Sequence, residues 1–167
     1  MQIKKKVCLL GDFAVGKTSL IRRFVEGQFD DKYLSTIGVK ISRKTISYDS
    51  NTLELIVWDL AGGDDFSKMG ANYLRGASGA LIVCDLTRPS TVNALTYYTN
   101  QLRTFNPEVA LVFAGNKVDL TAERVIKDED LKNLADALGG PCLLTSAKTG
   151  ECVEDAFHLL ANQIGLD

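Results

Sequence analysis

The run Gly11-Asp12-Phe13-Ala14-Val15-Gly16-Lys17-Thr18 has the residue types and the spacing to hold a phosphate. Gly11 and Gly16 let the backbone turn tightly, so that successive N–H groups face one anion. A helix opening at Lys17 points its positive end at the same place. Lys17 then supplies an ammonium to the terminal phosphates, and Thr18 a hydroxyl to Mg²⁺, an ion that takes a few protein oxygens beside phosphates and waters. A second group is Trp58-Asp59-Leu60-Ala61-Gly62. Asp59 ends an apolar run, where a carboxylate is costly without a cation; Mg²⁺, met directly or through water, is that cation. Gly62 permits its backbone N–H to approach a γ-phosphate closely. A third group, Asn116-Lys117-Val118-Asp119, has the chemistry of a base reader. The Asp119 carboxylate can accept from the N1–H and the exocyclic amino group of guanine, whereas adenine would leave it unpaired. Asn116 can tie this loop to the phosphate loop, and the Lys117 stem can lie over the base. Thr145-Ser146-Ala147-Lys148 is placed to offer backbone N–H groups to the guanine carbonyl.

These groups need a scaffold that brings distant loops together, and the hydropathy pattern supplies one. Strands are expected at Val7–Leu10, Val39–Tyr48, Leu53–Asp59, Ala80–Cys84, Val109–Ala114 and Cys142–Leu144. Asp49-Ser50-Asn51 makes a hairpin turn, so the second and third strands run antiparallel. Val39 and Ile41 alternate with Lys40, Ser42 and Lys44, as on an edge strand with one wet face. Helices are expected from Lys17 to Val25, around Val92, Leu95, Leu102 and Phe105, around Leu131, Leu134, Ala135 and Leu138, and from Val153 to Ile164. Gly27–Gly38 reads as loop. Strands alternating with helices imply an α/β fold with a six-stranded, mostly parallel sheet, one antiparallel edge strand and helices on both faces. In such sheets ligands bind beyond the carboxyl ends of the strands, where all the motifs fall.

The chain's 167 residues suit one domain. A net charge of -2 argues against a nucleic-acid partner. No apolar run reaches a membrane-spanning length, and Lys4-Lys5-Lys6 reads as a solvated entry to the first strand. Cys8, Cys84, Cys142 and Cys152 are scattered without metal-ligand spacing, as expected of reduced, mostly buried thiols in a cytoplasmic protein. His158 lies far from every motif and takes no catalytic role.

Taken together, the motifs resemble those of the Ras superfamily of small GTPases, in the same order and across essentially the whole chain. Arg23-Phe24, Thr36-Ile37-Gly38-Val39, Trp58–Gly62 and Tyr73-Leu74-Arg75-Gly76-Ala77 are most similar to Rab proteins, while Ala14 with Thr18 is also similar to Rho proteins. The resemblance implies a P-loop NTPase G domain over residues 1–167, which binds GTP or GDP with Mg²⁺ and hydrolyses GTP slowly. It implies nucleotide contacts from Asp12, Ala14, Val15, Gly16, Lys17, Thr18, Ser19, Phe29, Tyr33, Thr36, Gly62, Asn116, Lys117, Asp119, Ser146, Ala147 and Lys148. Metal contacts fall to Thr18, Thr36 and Asp59, and the catalytic positions are Lys17, Thr36, Gly62 and Gly63. Loops 30–40 and 60–75 would be the switches, meeting effectors, an exchange factor and a GTPase-activating protein. Leu34, Ile37, Phe66 and Met69 are their exposed apolar residues in this reading. A monomer is expected.

Three departures bear on turnover. Gly63 stands where the family usually has a glutamine that orients water, with Asp64 and Asp65 as neighbours. Phe13 stands where it usually has Gly or Ser, and can obstruct an arginine from an activating protein. The chain ends Ile-Gly-Leu-Asp, without a cysteine to prenylate or a basic tail, so no lipid anchor is expected in this chain: either it is a trimmed G domain or the protein acts without one. The alternative reading is a GTP-stabilised interaction module with negligible hydrolysis.

Overall fold

The structure, a computed structural model, describes residues 2–27, 39–48, 50–63, 66 and 71–165. Six strands, β1 (Gln2–Leu10), β2 (Val39–Tyr48), β3 (Asn51–Leu60), β4 (Gly79–Asp85), β5 (Ala110–Asn116) and β6 (Cys142–Leu144), form one sheet in the order β2-β3-β1-β4-β5-β6. Among the described residues only the β2–β3 pair is antiparallel. Among the described residues four α-helices cover it: α1 (Lys17–Glu26), α2 (Pro89–Phe105), α3 (Asp128–Leu138) and α4 (Val153–Ile164), with a 3-10 turn at Ala71–Leu74.

The inner strands are apolar on both faces, as strands covered twice must be. Successive residues of β1 alternate between two cores. Val7 and Leu9 meet Leu20 and Phe24 of α1 and Phe157 and Leu160 of α4. Cys8 and Leu10 face the core that holds Leu95 and Tyr98 of α2 and Leu131 of α3. Phe24 and Phe157 stack face to face at 4.1 Å between ring centroids, which fixes α1 against α4. Burial pushes the thiols of Cys8 and Cys84 up to about 12, so both remain protonated core residues. Pro89 opens α2, where its missing N–H costs nothing.

Three sequence expectations change. Ile41 does not face the core: it is 50% exposed, and Ile46 carries the buried face of β2. An edge strand paired on one side lets its apolar residues divide between faces, and Ile41 pairs with Trp58 in the register. Phe66 is not an exposed switch residue either. It is buried, edge-on to Tyr98 at 5.0 Å. Strand β1 also begins earlier than its apolar run, because Gln2 to Lys6 pair with Thr52 to Ile56 of β3 through backbone bonds that ignore side-chain polarity.

Candidate functional site

The loop after β1 turns where its glycines stand. A Cβ on Gly11 would sit 2.4 Å from the Val83 carbonyl oxygen, so only glycine lets β1 leave the sheet beside β4. Gly16 takes a left-handed φ of 103° and delivers the chain into α1. Lys17, Thr18 and Ser19 are all buried in the first turn of that helix. A buried ammonium is costly by itself. Burial lowers the affinity of Lys17 for its proton, and the carboxylates of Asp59 and Asp12 work against that loss. The cation is therefore buried in the field of two carboxylates at the carboxyl end of the sheet.

Thr18 donates its hydroxyl to Asp59 at 2.7 Å, and both side chains are buried. This pair fits Mg²⁺: one hydroxyl and one carboxylate, adjacent and shielded, leave room for phosphate and water oxygens. Among the described residues no cluster of three His, Cys, Asp or Glu side chains forms an all-protein metal cage. Gly62 packs on the phosphate loop so closely that a Cβ there would lie 2.2 Å from the Gly11 carbonyl oxygen. Gly63 has a left-handed φ of 62°, and a Cβ there would meet nothing within 4 Å. Phe13 points outward and is 55% exposed.

Strand β5 runs on to Asn116, two residues past its apolar run. Asn116 is fully buried; its amide donates to the Val15 carbonyl at 2.9 Å and accepts from the Thr145 hydroxyl at 3.1 Å. One side chain thus joins the phosphate loop, the 116–119 loop and the loop after β6. Lys117, in a left-handed backbone conformation, donates to the Ala14 carbonyl at 2.8 Å. Asp119 accepts from the Ser146 hydroxyl at 2.7 Å, and Ser146 in turn caps the backbone N–H of Thr149. Ala147 is buried and Lys148 exposed. Asn116→Ala is expected to cost about 2–4 kcal/mol, since it strands two buried partners at once. A thermal melt of the nucleotide-free protein, compared with parent, measures this.

The structure therefore brings Asp12 to Ser19, Asp59, Gly62, Asn116 to Asp119 and Ser146 to Ala147 to one end of the sheet. Phe29, Tyr33, Thr36, Asp64 and Asp65, with Leu34, Ile37 and Met69, lie outside the described residues.

Sequence reading missed Asp85 and Arg88. Asp85 ends the apolar strand β4, the same signal that singled out Asp59. It accepts from Lys117 at 2.9 Å and from the Thr87 hydroxyl at 2.6 Å. Burial opposes its ionisation, but the hydrogen bonds from Thr87 and Lys117 outweigh it and hold the carboxyl below its usual range. Arg88 pairs with Asp85 and donates to the Phe13 carbonyl, a second brace on the phosphate loop.

Beside the site, Ile41, Trp58 and Tyr73 form an apolar patch, with the Trp58 and Tyr73 rings 6.0 Å apart. Lys6 lies over the Trp58 ring at 3.9 Å. A separate cavity lined by Asp128, Glu129, Lys132, Cys142, Leu143 and Leu144 includes none of the residues above.

The chain matches the model of the Ras family over residues 6–165. It is 39% identical over 160 residues to the GTP-binding protein YPTM2 of Zea mays, covering 95% of this chain and 79% of that protein. It is 39% identical over 160 residues to the Ras-related protein RABD2c of Arabidopsis thaliana, with the same coverage. The Ras-related protein Rab-22A of Mus musculus is 37% identical over 160 residues, covering 95% of this chain and 82% of that protein. By its motifs, its sheet and these relatives, the chain belongs to the Ras family of small GTPases, with Rab-related proteins among its relatives.

Proposed function

We propose that residues 1–167 form a single G domain that binds GTP and GDP with Mg²⁺, hydrolyses GTP slowly and signals its state through loops 30–40 and 60–75. The observation that carries this reading is the Asn116 side chain, which fastens the phosphate loop to the loops bearing Asp119 and Ser146. Phosphate and base readers then share one crevice, as a guanine nucleotide requires.

In this reading the triphosphate lies along the N–H groups of Asp12, Ala14, Val15, Gly16, Lys17, Thr18 and Ser19. Asp119 accepts from guanine, Ser146, Ala147 and Lys148 frame its carbonyl, and the Lys117 stem covers one face. Phe29 and Tyr33 border the nucleotide, and Thr36 joins Thr18 and Asp59 at the metal. Mg²⁺ held by these residues would supply charge neutralisation to the phosphates. Water attacks the γ-phosphorus in line, the bond to the β-γ bridging oxygen breaks, and GDP and phosphate leave. Lys17 and the loop N–H groups stabilise the charge on the transferring group, with Gly62 at its γ side.

Gly63 has no side chain to orient that water, so turnover is slow. The protein works in the cytoplasm, reaching membranes through partners; among the described residues no helix is long and apolar enough to cross one. The patch of Ile41, Trp58 and Tyr73, with Ile41 next in sequence to loop 30–40 and Tyr73 within 60–75, supports effector docking there. An exchange factor and a GTPase-activating protein act on the same loops.

Gly63 and Phe13 favour a second reading, a GTP-held binding module. Single-turnover hydrolysis of pre-loaded GTP separates the two. The parent is expected to turn over on the order of 10⁻⁴ s⁻¹. Gly63→Gln is expected to raise this roughly tenfold, since the position is open and the left-handed backbone costs a non-glycine residue only about 1–2 kcal/mol. A silent parent revived by Gln assigns the protein to the second reading.

A further inference from the structure

Tyr98 lies on α2, outside every motif, yet it reaches into the site. Its ring is buried, and its hydroxyl donates to the Asp12 carboxylate at 3.0 Å while accepting from the Gly63 backbone N–H at 2.9 Å. One phenol oxygen thus bridges the phosphate loop and the first residue after Gly62. Phe66 clasps the same ring edge-on at 5.0 Å, and Tyr97 borders both. We propose that Tyr98 is a positioning residue, a latch from α2 that holds the Gly63 backbone against Asp12 of the phosphate loop. The proposal rests on the nucleotide-binding reading only for what the latch restrains.

The chemistry of the three groups suits the role. The carboxylate of Asp12 stands in a loop built to hold an anion, so a donor that turns it toward α2 removes an electrostatic conflict. Burial, chiefly, raises the Tyr98 hydroxyl well above its usual range, so the donor is present throughout the physiological pH range. Gly63 contributes only its backbone, so the latch acts without a side chain at that position. Any rearrangement of Gly62 and Gly63 when GDP is exchanged for GTP must then break a hydrogen bond to Tyr98 or carry Phe66 and the ring with it.

Amide hydrogen exchange at Gly63, followed by NMR in the GDP- and Mg²⁺-loaded chain, tests this. Tyr98→Phe keeps the ring and removes the bridging oxygen. Exchange at Gly63 is expected to quicken roughly three- to tenfold, the size of one ordinary hydrogen bond, with amides of β5 unchanged. Asp12→Asn keeps an acceptor for the phenol and is expected to exchange like the parent, whereas Asp12→Ala is expected to quicken. If Tyr98→Phe fails to fold, the Asp12 pair still decides. Parent-like exchange in Tyr98→Phe, or equal rates for Asp12→Asn and Asp12→Ala, would overturn the latch. A GDP titration of the parent reads the nucleotide-binding proposal separately, because failure there is loss of binding in the unmutated chain.

Discussion

Asp119→Asn is expected to weaken GDP binding by about 10²- to 10⁴-fold and to bring in xanthosine diphosphate as the preferred ligand. The carboxylate offers two acceptors to two guanine donors, the N1–H and the exocyclic amine. Each hydrogen bond to a charged group contributes about 1.5–3 kcal/mol. An asparagine sets an NH₂ against one of those donors and loses both the charge and one acceptor. Xanthine carries a carbonyl in place of the amine, which that NH₂ can meet. Ser146 holds Asp119 from the side at 2.7 Å, so an amide of the same shape keeps its place. Competition titration with guanosine, xanthosine and adenosine diphosphates measures the effect. Unaltered preference for GDP would remove Asp119 from the base site.

Lys17→Met is expected to weaken GDP and GTP alike, by about 2–5 kcal/mol, the cost of truncating one partner of a buried charge pair. That is a loss of roughly 30- to several thousand-fold. The side chain is nearly fully buried in the field of the Asp59 and Asp12 carboxylates, and the nearby cations Lys117 and Arg88 are already engaged with Asp85 and with phosphate-loop carbonyls. Methionine keeps the length and the apolar stem, which confines the change to the ammonium. Calorimetric titration with each nucleotide in Mg²⁺ reads the loss. Binding within threefold of parent would mean that Lys17 does not face the phosphates.

Most of this site was legible because its residue types are expensive elsewhere. A lysine after a glycine at the mouth of a strand, and an aspartate at the end of an apolar run, both announce a charged partner. Asp85 carries the same signal as Asp59, but no recognisable motif surrounds it to single it out. The 3.6-residue spacing of Val153, Ala156, Phe157, Leu160 and Ala161 marks the core face of α4, and all five are buried. Ile41 departs from the alternation of its strand, and Phe66 from the exposure that a switch loop implies. Neither alternation nor loop position says which neighbour a residue meets, and both depend on contacts distant in sequence: Trp58 across β3, Tyr98 on α2. Tyr98 itself gave no sequence signal, because a tyrosine in a helix is ordinary until its hydroxyl is seen between Asp12 and Gly63. Strand β5 outran its apolar run because backbone pairing with β4 reaches Asn116, whatever side chain it carries.

The central claim is that the crevice binds a guanine nucleotide with Mg²⁺. It is tested most directly by titrating the protein, stripped of nucleotide, with GDP and with ADP, each in Mg²⁺ and again in excess EDTA. Tight GDP binding that loosens when Mg²⁺ is chelated, with ADP weaker by at least about a hundredfold, is the predicted result. ADP binding as tight as GDP, or GDP binding indifferent to Mg²⁺, would contradict it.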